Sequence, residues 1–236
     1  MIKSYLATDI GHVRKDNEDA SAILPHHAFV VADGMGGHAG GGTASQILVH
    51  SVRQYIDDFA DRALQEEDLA QAILAANRDI LATAFEKPAL RGMGTTAVLL
   101  ALDKEKARWA HVGDSRLYLL RAGELRQITR DHSLVEELVC NGTITEEEAR
   151  VHPRKNILTR AVGVEVAPKV DRGSFALVNG DRFLLCTDGL TNMVEDADIQ
   201  SIMQKEGDVA HALVQRALAA GGHDNVTALV VAIDGA

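Results

Sequence analysis

The sequence predicts an α+β protein in which antiparallel sheets are covered by helices on both outer faces. Three observations carry that prediction. Two strong helical stripes follow one another between residues 43 and 86. Short strand-like runs then fill 95–129, joined by connections of only a few residues. Connections that short link antiparallel neighbours, because parallel neighbours need a crossover of about a dozen residues or more. A second helical pair comes late, at about 196–204 and 208–220, before a final strand at 226–233. Helices grouped after hairpins, rather than alternating with strands, favour α+β over a doubly wound parallel sheet.

Taken in order, the first clear element is "FVVADGMGG" (29–37), an apolar run that ends at an aspartate and turns on glycine. In 43–60, Ala44, Ile47, Leu48, Val52, Tyr55, Ile56 and Phe59 recur at threes and fours and form one stripe. In 67–86, Leu69, Ala72, Ile73, Ala76, Ile80, Ala84 and Phe85 do the same, with Pro88 just beyond the end. The period then changes: "TTAVLLAL" (95–102), "ARWAHVG" (107–113), "RLYLLRA" (116–122) and "ELRQIT" (124–129) read as strands. Residues 133–160 differ again. "SLVEELVCNG" is a short helix closed by Asn-Gly, and "TITEEEARVHP" opens a second one with a Thr145–Glu148 capping box. This stretch is polar, lacks a strong core stripe and reads as a mobile insertion. Strands at about 171–178 and 182–187 lead to the last helices.

The chain of 236 residues has no Pro- or Ser-rich linker and no internal repeat, so a single domain over 1–236 is expected. Hydrophobic residues at 46% and charged residues at 25% are an ordinary globular balance. No apolar run approaches the ~20 residues that span a bilayer, and the start shows no signal-peptide core. Two cysteines, Cys140 and Cys186, fit a reduced cytosol, so the chain is expected to be cytoplasmic. The formal net charge of −10 disfavours nucleic acid and anionic membranes as partners. One Trp, three Tyr and five Phe leave little for base stacking.

The chemistry lies in four aspartates at strand ends. Asp33, Asp114 and Asp188 follow apolar runs, and Asp224 precedes one. In an antiparallel sheet the end of one strand lies beside the start of its neighbour, so all four can share an edge. Crowded carboxylates there would repel or shift their pKa values, and a hard divalent cation such as Mg²⁺ or Mn²⁺ resolves the conflict. The plainer alternative is that each aspartate only starts a turn.

Other chemistries fit less well. Gly34-x-Gly36-x-x-Ala39 matches a dinucleotide fingerprint, but no second strand ends in an acid about 20 residues on. Neither cysteine has an arginine six residues later (Asn192 and Glu146 stand there), and no Gly-x-Ser-x-Gly elbow occurs. Metal-assisted hydrolysis remains.

Seven ordered motifs then identify a likeness. "GHVRKDNED" (11–19), "VADGMGGHAGG" (31–41), "MGTTAV" (93–98), "HVGDSRLYLL" (111–120), "ITRDHS" (128–133), "LLCTDGL" (184–190) and "GGHDNVT" (221–227) resemble those of the metal-dependent Ser/Thr protein phosphatases of the 2C type, in their compact bacterial form. The resemblance spans about residues 3–233. It implies a four-layer α-β-β-α sandwich, two antiparallel sheets flanked by helical pairs, with residues 133–160 as a flap. It implies two tightly bound Mn²⁺ or Mg²⁺ ions held by Asp33, the Gly34 carbonyl, Asp188 and Asp224, and a weaker third on Asp114 with Asp188. Arg14 would clamp the substrate phosphate. Glu18 and Asp19 would hold metal-bound waters, with Asn225 beside them. His38 would be the general acid, although relatives with Asp-Gly-His place that histidine two residues after the aspartate, where Met35 stands here.

The implied activity is hydrolysis of phosphoserine and phosphothreonine in proteins by a water activated between two metals, without a covalent intermediate. The implied partners are phosphoproteins and an opposing Ser/Thr kinase, and the chain is expected to be a monomer. The alternatives are a catalytically idle phosphoprotein-binding relative and a hydrolase of small phosphate esters. Thr95 and Thr96 fit strand packing with hydroxyl bonds near the site, and Ser115 and Arg116 fit the organisation of a turn. His111, His132 and His223 fit surface or supporting places.

Overall fold

The computed structural model describes residues 1–36, 40–59 and 62–233. In chain order the strands are β1 (Ile2–Asp9), β2 (Asp19–Leu24), β3 (Ala28–Met35), β4 (Gly94–Thr95), β5 (Ala97–Leu102), β6 (Lys106–Val112), β7 (Arg116–Arg121), β8 (Glu124–Gln127), β9 (Asp171–Ala176), β10 (Arg182–Cys186) and β11 (Val226–Ile233). The helices are α1 (Gly40–Asp57), α2 (Glu66–Glu86), α3 (Leu134–Cys140), α4 (Glu146–Arg150), α5 (Asp188–Thr191), α6 (Asp196–Met203) and α7 (Val209–Ala219). One sheet runs β2-β3-β5-β6-β9, with β4 paired to the end of β3; the other runs β1-β11-β10-β7-β8. Every pairing is antiparallel.

Three buried layers explain why several strands read as unbroken apolar runs. Phe29, Val31, Val98, Leu100, Leu117, Leu119, Phe183, Leu185, Leu229 and Val231 pack between the two sheets. Their sequence neighbours point the other way. Val30, Ala32, Leu99 and Ala101 pack under α1 and α2. Tyr118, Leu120, Leu184, Cys186, Ala228 and Val230 pack under α6 and α7. Side chains alternate along a strand, so a strand covered on both faces needs apolar residues at every position. The order is helix, sheet, sheet, helix, as expected.

Two expectations need correction. The strand carrying Asp33 does not stop there; β3 continues through Gly34 and Met35, which pair with Thr95 and Gly94. The short link at Gly113–Ser115 does not make antiparallel neighbours of β6 and β7. β6 pairs with β5 and β9, whereas β7 pairs with β10 and β8. The chain crosses from one sheet to the other there, at a glycine with φ +110° whose added Cβ would lie 2.6 Å from the Thr96 methyl carbon. A three-residue link between stacked strands looks in sequence like a hairpin, and only packing separates them. Strands β1 and β2 and the single turn α5 are elements the pattern did not single out. β1 is an edge strand with mixed exposure, so its apolar signal is diluted.

In the 133–160 stretch, the helix boundaries follow the local signals. Ser133 Oγ caps α3, accepting from the Glu136 amide at 3.3 Å. Thr145 and Glu148 form the reciprocal box, at 3.2 and 2.8 Å. Neither α3 nor α4 buries a residue, and the stretch is tied at its base, where the Leu134 amide donates to Ile157 O and the Thr159 amide to His132 O. Among the described residues no helix is long and apolar enough to cross a membrane.

Candidate active site

Both sheets deliver acids to one end of the sandwich. In β3, Phe29 and Val31 face the opposite sheet, and the same parity carries Asp33 to that face. Directly opposite it in register stands Asp19 of β2. Like charges facing across strands destabilise a sheet, so this pair works against folding. Asp19 also reaches the other sheet, where its Oδ2 accepts from the hydroxyls of Thr187 at 2.9 Å and Thr227 at 2.6 Å. Asp114 sits on the crossover between sheets, Asp188 opens α5 after β10, and Asp224 precedes β11. The four aspartates singled out in the sequence therefore meet, joined by Asp19.

Their electrostatics record the crowding. Burial, and then the charges of Asp19, Asp188, Asp114 and Asp224, push Asp33 well above the ordinary carboxylate range. Burial and Asp188 do the same to Asp114. Burial and Asp224 raise Asp188. Burial raises Asp19 to about 7 against the opposing pull of its two threonine hydroxyls. Each group holds its proton more tightly folded than unfolded, so raising the pH removes stability. The chelated protein is expected to lose thermal stability from about pH 4, the ordinary aspartate value, through about pH 7, where Asp19 titrates. Melting temperatures in EDTA across that range check this; a curve that rises throughout would contradict it.

The backbone around the acids is held by hydroxyls. The Asp33 amide donates to Thr96 Oγ1 at 2.9 Å, and Thr95 Oγ1 donates to Asp33 O at 2.9 Å. Thr96 Oγ1 and Ser115 Oγ lie 2.6 Å apart. Because Thr96 already accepts from Asp33, its own proton is free to go to Ser115, linking the neighbourhoods of Asp33 and Asp114. Sequence reasoning missed Thr187 and Thr227. Their signal was a hydroxyl at the site end of an otherwise apolar strand, one residue before Asp188 and three after Asp224.

The donor set suits a hard divalent cation, since every candidate ligand is oxygen. Among the described residues no three acidic, histidine or cysteine side chains form a closed cage. The carboxylates have turned to local partners: Asp224 accepts from Arg14 at 2.7 Å and Asp188 from Asn192 at 2.9 Å. Two buried oxygens, Glu18 Oε1 and Asp19 Oδ1, have no hydrogen-bond partner among the described residues. Leaving such an acceptor unpaired costs about 1–3 kcal/mol, and the waters of a hydrated cation are donors that would satisfy both. The residues present fit the metals expected.

The family pattern of protein phosphatase 2C matches residues 11–220. The chain belongs to the protein phosphatase 2C family. It is similar to the serine/threonine phosphatase stp of Listeria innocua, 39% identical over 234 residues that cover 95% of this chain and 93% of that one. It is also similar to the crystal structure of serine/threonine phosphatase Stp1 from Staphylococcus aureus, with TM-score 0.93 and 36% identity over 100% of this chain and 96% of that one. A structure of the catalytic domain of the serine/threonine protein phosphatase PstP in complex with two manganese ions matches with TM-score 0.90 and 38% identity, covering 99% of each chain.

In this member of the protein phosphatase 2C family, Arg14 lies at the mouth of the site with its side chain 48% exposed, hydrogen-bonded to Asp224. Gly34 is pressed between backbones, where an added Cβ would lie 2.1 Å from Gly41 O. Glu18 lies beneath, its carbonyl accepting from Gly34 N and from Ser45 Oγ. Asn225 binds the backbone of the loop before Glu18. His38 falls outside the described residues. His111 is fully buried, and burial lowers its pKa to about 3, so it stays neutral. Cys186 is buried and its thiol is pushed up to about 12, which leaves it unreactive. A polar cleft of about 400 Å³ runs from Asp114 and Asp188 to Arg150 and Lys155 of the 133–160 stretch.

Proposed function

We propose that this phosphatase removes phosphate from phosphoserine and phosphothreonine in proteins, with Mn²⁺ or Mg²⁺, opposing a Ser/Thr kinase in the cytoplasm as a monomer. One observation carries the reading: five mutually repelling aspartates converge from two sheets beneath an exposed arginine. An idle phosphoprotein-binding relative would have no use for that cost.

Asp33, Asp188 and Asp224, with the Gly34 carbonyl, would hold two cations, and Asp114 with Asp188 a weaker third. Bound there, such ions supply a water activated at neutral pH and neutralise charge on phosphoryl oxygens. Arg14 binds the phosphate, its planar fork matching two oxygens. Glu18 and Asp19 orient water through their unpartnered buried oxygens. The hydroxyls and thiol nearest the aspartates are buried or hydrogen-bonded. Cys186 is inert, Ser115 is buried against Thr96, and Thr187 and Thr227 donate to Asp19. In this reading water attacks phosphorus directly, and no phosphorylated enzyme forms. The whole chain acts as one domain, with residues 133–160 as a flap beside the cleft that admits the substrate polypeptide.

The direct test is turnover of a phosphothreonine peptide by the purified chain with Mn²⁺, with Mg²⁺ and with EDTA. Metal-dependent release of phosphate is expected, and full activity in excess chelator would overturn the mechanism. Comparison with small phosphate esters separates the protein phosphatase from an ester hydrolase.

His38 is proposed as general acid. General acid help contributes roughly 10²- to 10⁴-fold, and only where the leaving group needs the proton. A serine alkoxide needs it; a nitrophenolate does not. His38→Ala is expected to slow phosphopeptide turnover at least about tenfold more than p-nitrophenyl phosphate turnover. Equal losses on both substrates would remove His38 from that role.

A further inference from the structure

Asn225 has a buried side chain, 4% exposed, that does not line the cleft; its backbone amide, which a substitution keeps, donates to Asp224 Oδ1 at 2.8 Å. Its amide nitrogen donates to Ile10 O and to Asp16 O, both at 3.0 Å, and its amide oxygen accepts from the Glu18 amide at 2.8 Å. Ile10 and Asp16 are the two ends of the excursion that carries Arg14. One side chain thus closes that excursion at its base and joins it to Glu18 at the entry to β2.

The excursion has few other ties: at its far end the Asn17 side chain donates to Thr8 Oγ1 at 2.9 Å and accepts from the Asp19 amide at 3.1 Å. Its first residues are anchored by the Gly11 amide to Asp9 Oδ1 at 2.8 Å and by the His12 amide to Gly222 O at 2.7 Å. Among the described residues, the backbones of Val13, Arg14 and Lys15 make no hydrogen bond. Val13 is 64% exposed, so packing does not fix the tip either. A guanidinium on such a loop is placed by what fixes the ends.

We infer that Asn225 is the positioning residue for Arg14: it sets where the guanidinium stands over the aspartates without itself meeting the substrate. The inference rests on Arg14 binding the substrate phosphate. Removing Asn225 leaves the cation ligands in place but lets the loop spread, so phosphate binding weakens while cation binding does not.

The test is a double-mutant cycle on the full chain with Mn²⁺. It uses kcat/KM for a phosphothreonine peptide and the inhibition constant of inorganic phosphate, measured on the wild type, R14A, N225A and the double variant. R14A is expected to lose about 10- to 100-fold in kcat/KM, the range for one charged hydrogen-bonded contact. N225A is expected to lose about tenfold and to weaken phosphate inhibition in parallel, but to cost no more than about twofold when Arg14 is already absent. Calorimetric Mn²⁺ affinity of N225A is expected to stay within about threefold of the wild type.

An equal loss from N225A in both backgrounds, or a fall in Mn²⁺ affinity that accounts for the lost activity, overturns the inference. So does wild-type activity in N225A. If N225A does not fold, N225D replaces it in the same cycle, since it keeps the acceptor for the Glu18 amide and cannot donate to the two carbonyls. The failures are separable. A wild type with no metal-dependent phosphatase activity overturns the phosphatase reading. An active wild type with an equally active R14A overturns the arginine's role, and the inference with it.

Discussion

Asparagine in place of Asp33 is expected to lower kcat/KM for a phosphothreonine peptide by ~10³-fold or more, and to raise the melting temperature of the chelated chain. The two effects have one cause. Asp33 is the most crowded of the acids, its pKa pushed far up by burial and by four neighbouring carboxylates. With cations bound, that charge is what holds them. A metal supplies several kcal/mol of stabilisation to the reaction, and about 4 kcal/mol corresponds to a thousandfold in rate. Without cations the same charge opposes folding, and asparagine keeps its shape while removing it. Steady-state kinetics with Mn²⁺ and thermal melts in EDTA at pH 8 check the two halves. Activity within tenfold of the wild type would remove Asp33 from the metal site. A lower melting temperature would show that the crowding does not oppose folding as argued.

Gly34→Ala is expected to be among the most damaging small substitutions near the site. A Cβ at Gly34 would stand 2.1 Å from Gly41 O, 2.3 Å from Gly41 C and 2.7 Å from Glu18 O. All three are backbone atoms, so no side chain can swing away; β3, α1 and the β2 entry would have to separate. Overpacking usually costs about 1–3 kcal/mol, and losses above ~4 kcal/mol mark cases where the backbone cannot yield. A loss of at least about 4 kcal/mol, or failure to accumulate as folded protein, is expected. Gly42→Ala is the control. Its Cβ would meet nothing nearer than 3.7 Å, and it lies in α1, so alanine should stabilise by about 0.5–1 kcal/mol. Urea unfolding of the two variants decides the matter. A Gly34→Ala protein as stable as the wild type would mean that the close approach of β3 to α1 is not as drawn.

Local order in this protein is legible from the chain alone wherever it depends on neighbours in sequence. The stripe around Leu48 and Val52 sets the face of α1, Thr145 with Glu148 sets the start of α4, and the apolar run at 183–186 makes β10 a doubly covered strand. The aspartates also announced themselves, because a charge at the end of a buried run is costly and so invites a reason. The sheet that each strand joins is not local. Gly113-Asp114-Ser115 has the sequence of a hairpin turn, but the chain crosses between layers because β6 finds β5 and β9 while β7 finds β10. That pairing depends on shape and burial among residues far apart in the chain, and it sets Asp114 against the others.

The same holds for the polar contacts around the acids. Thr187 and Thr227 reach Asp19 across 168 and 208 residues of chain, and Asn225 closes the Arg14 loop across more than 200. No periodicity encodes such partners. A hydroxyl or an amide is defined by what stands within about 3 Å of it, and only the folded chain brings that group there.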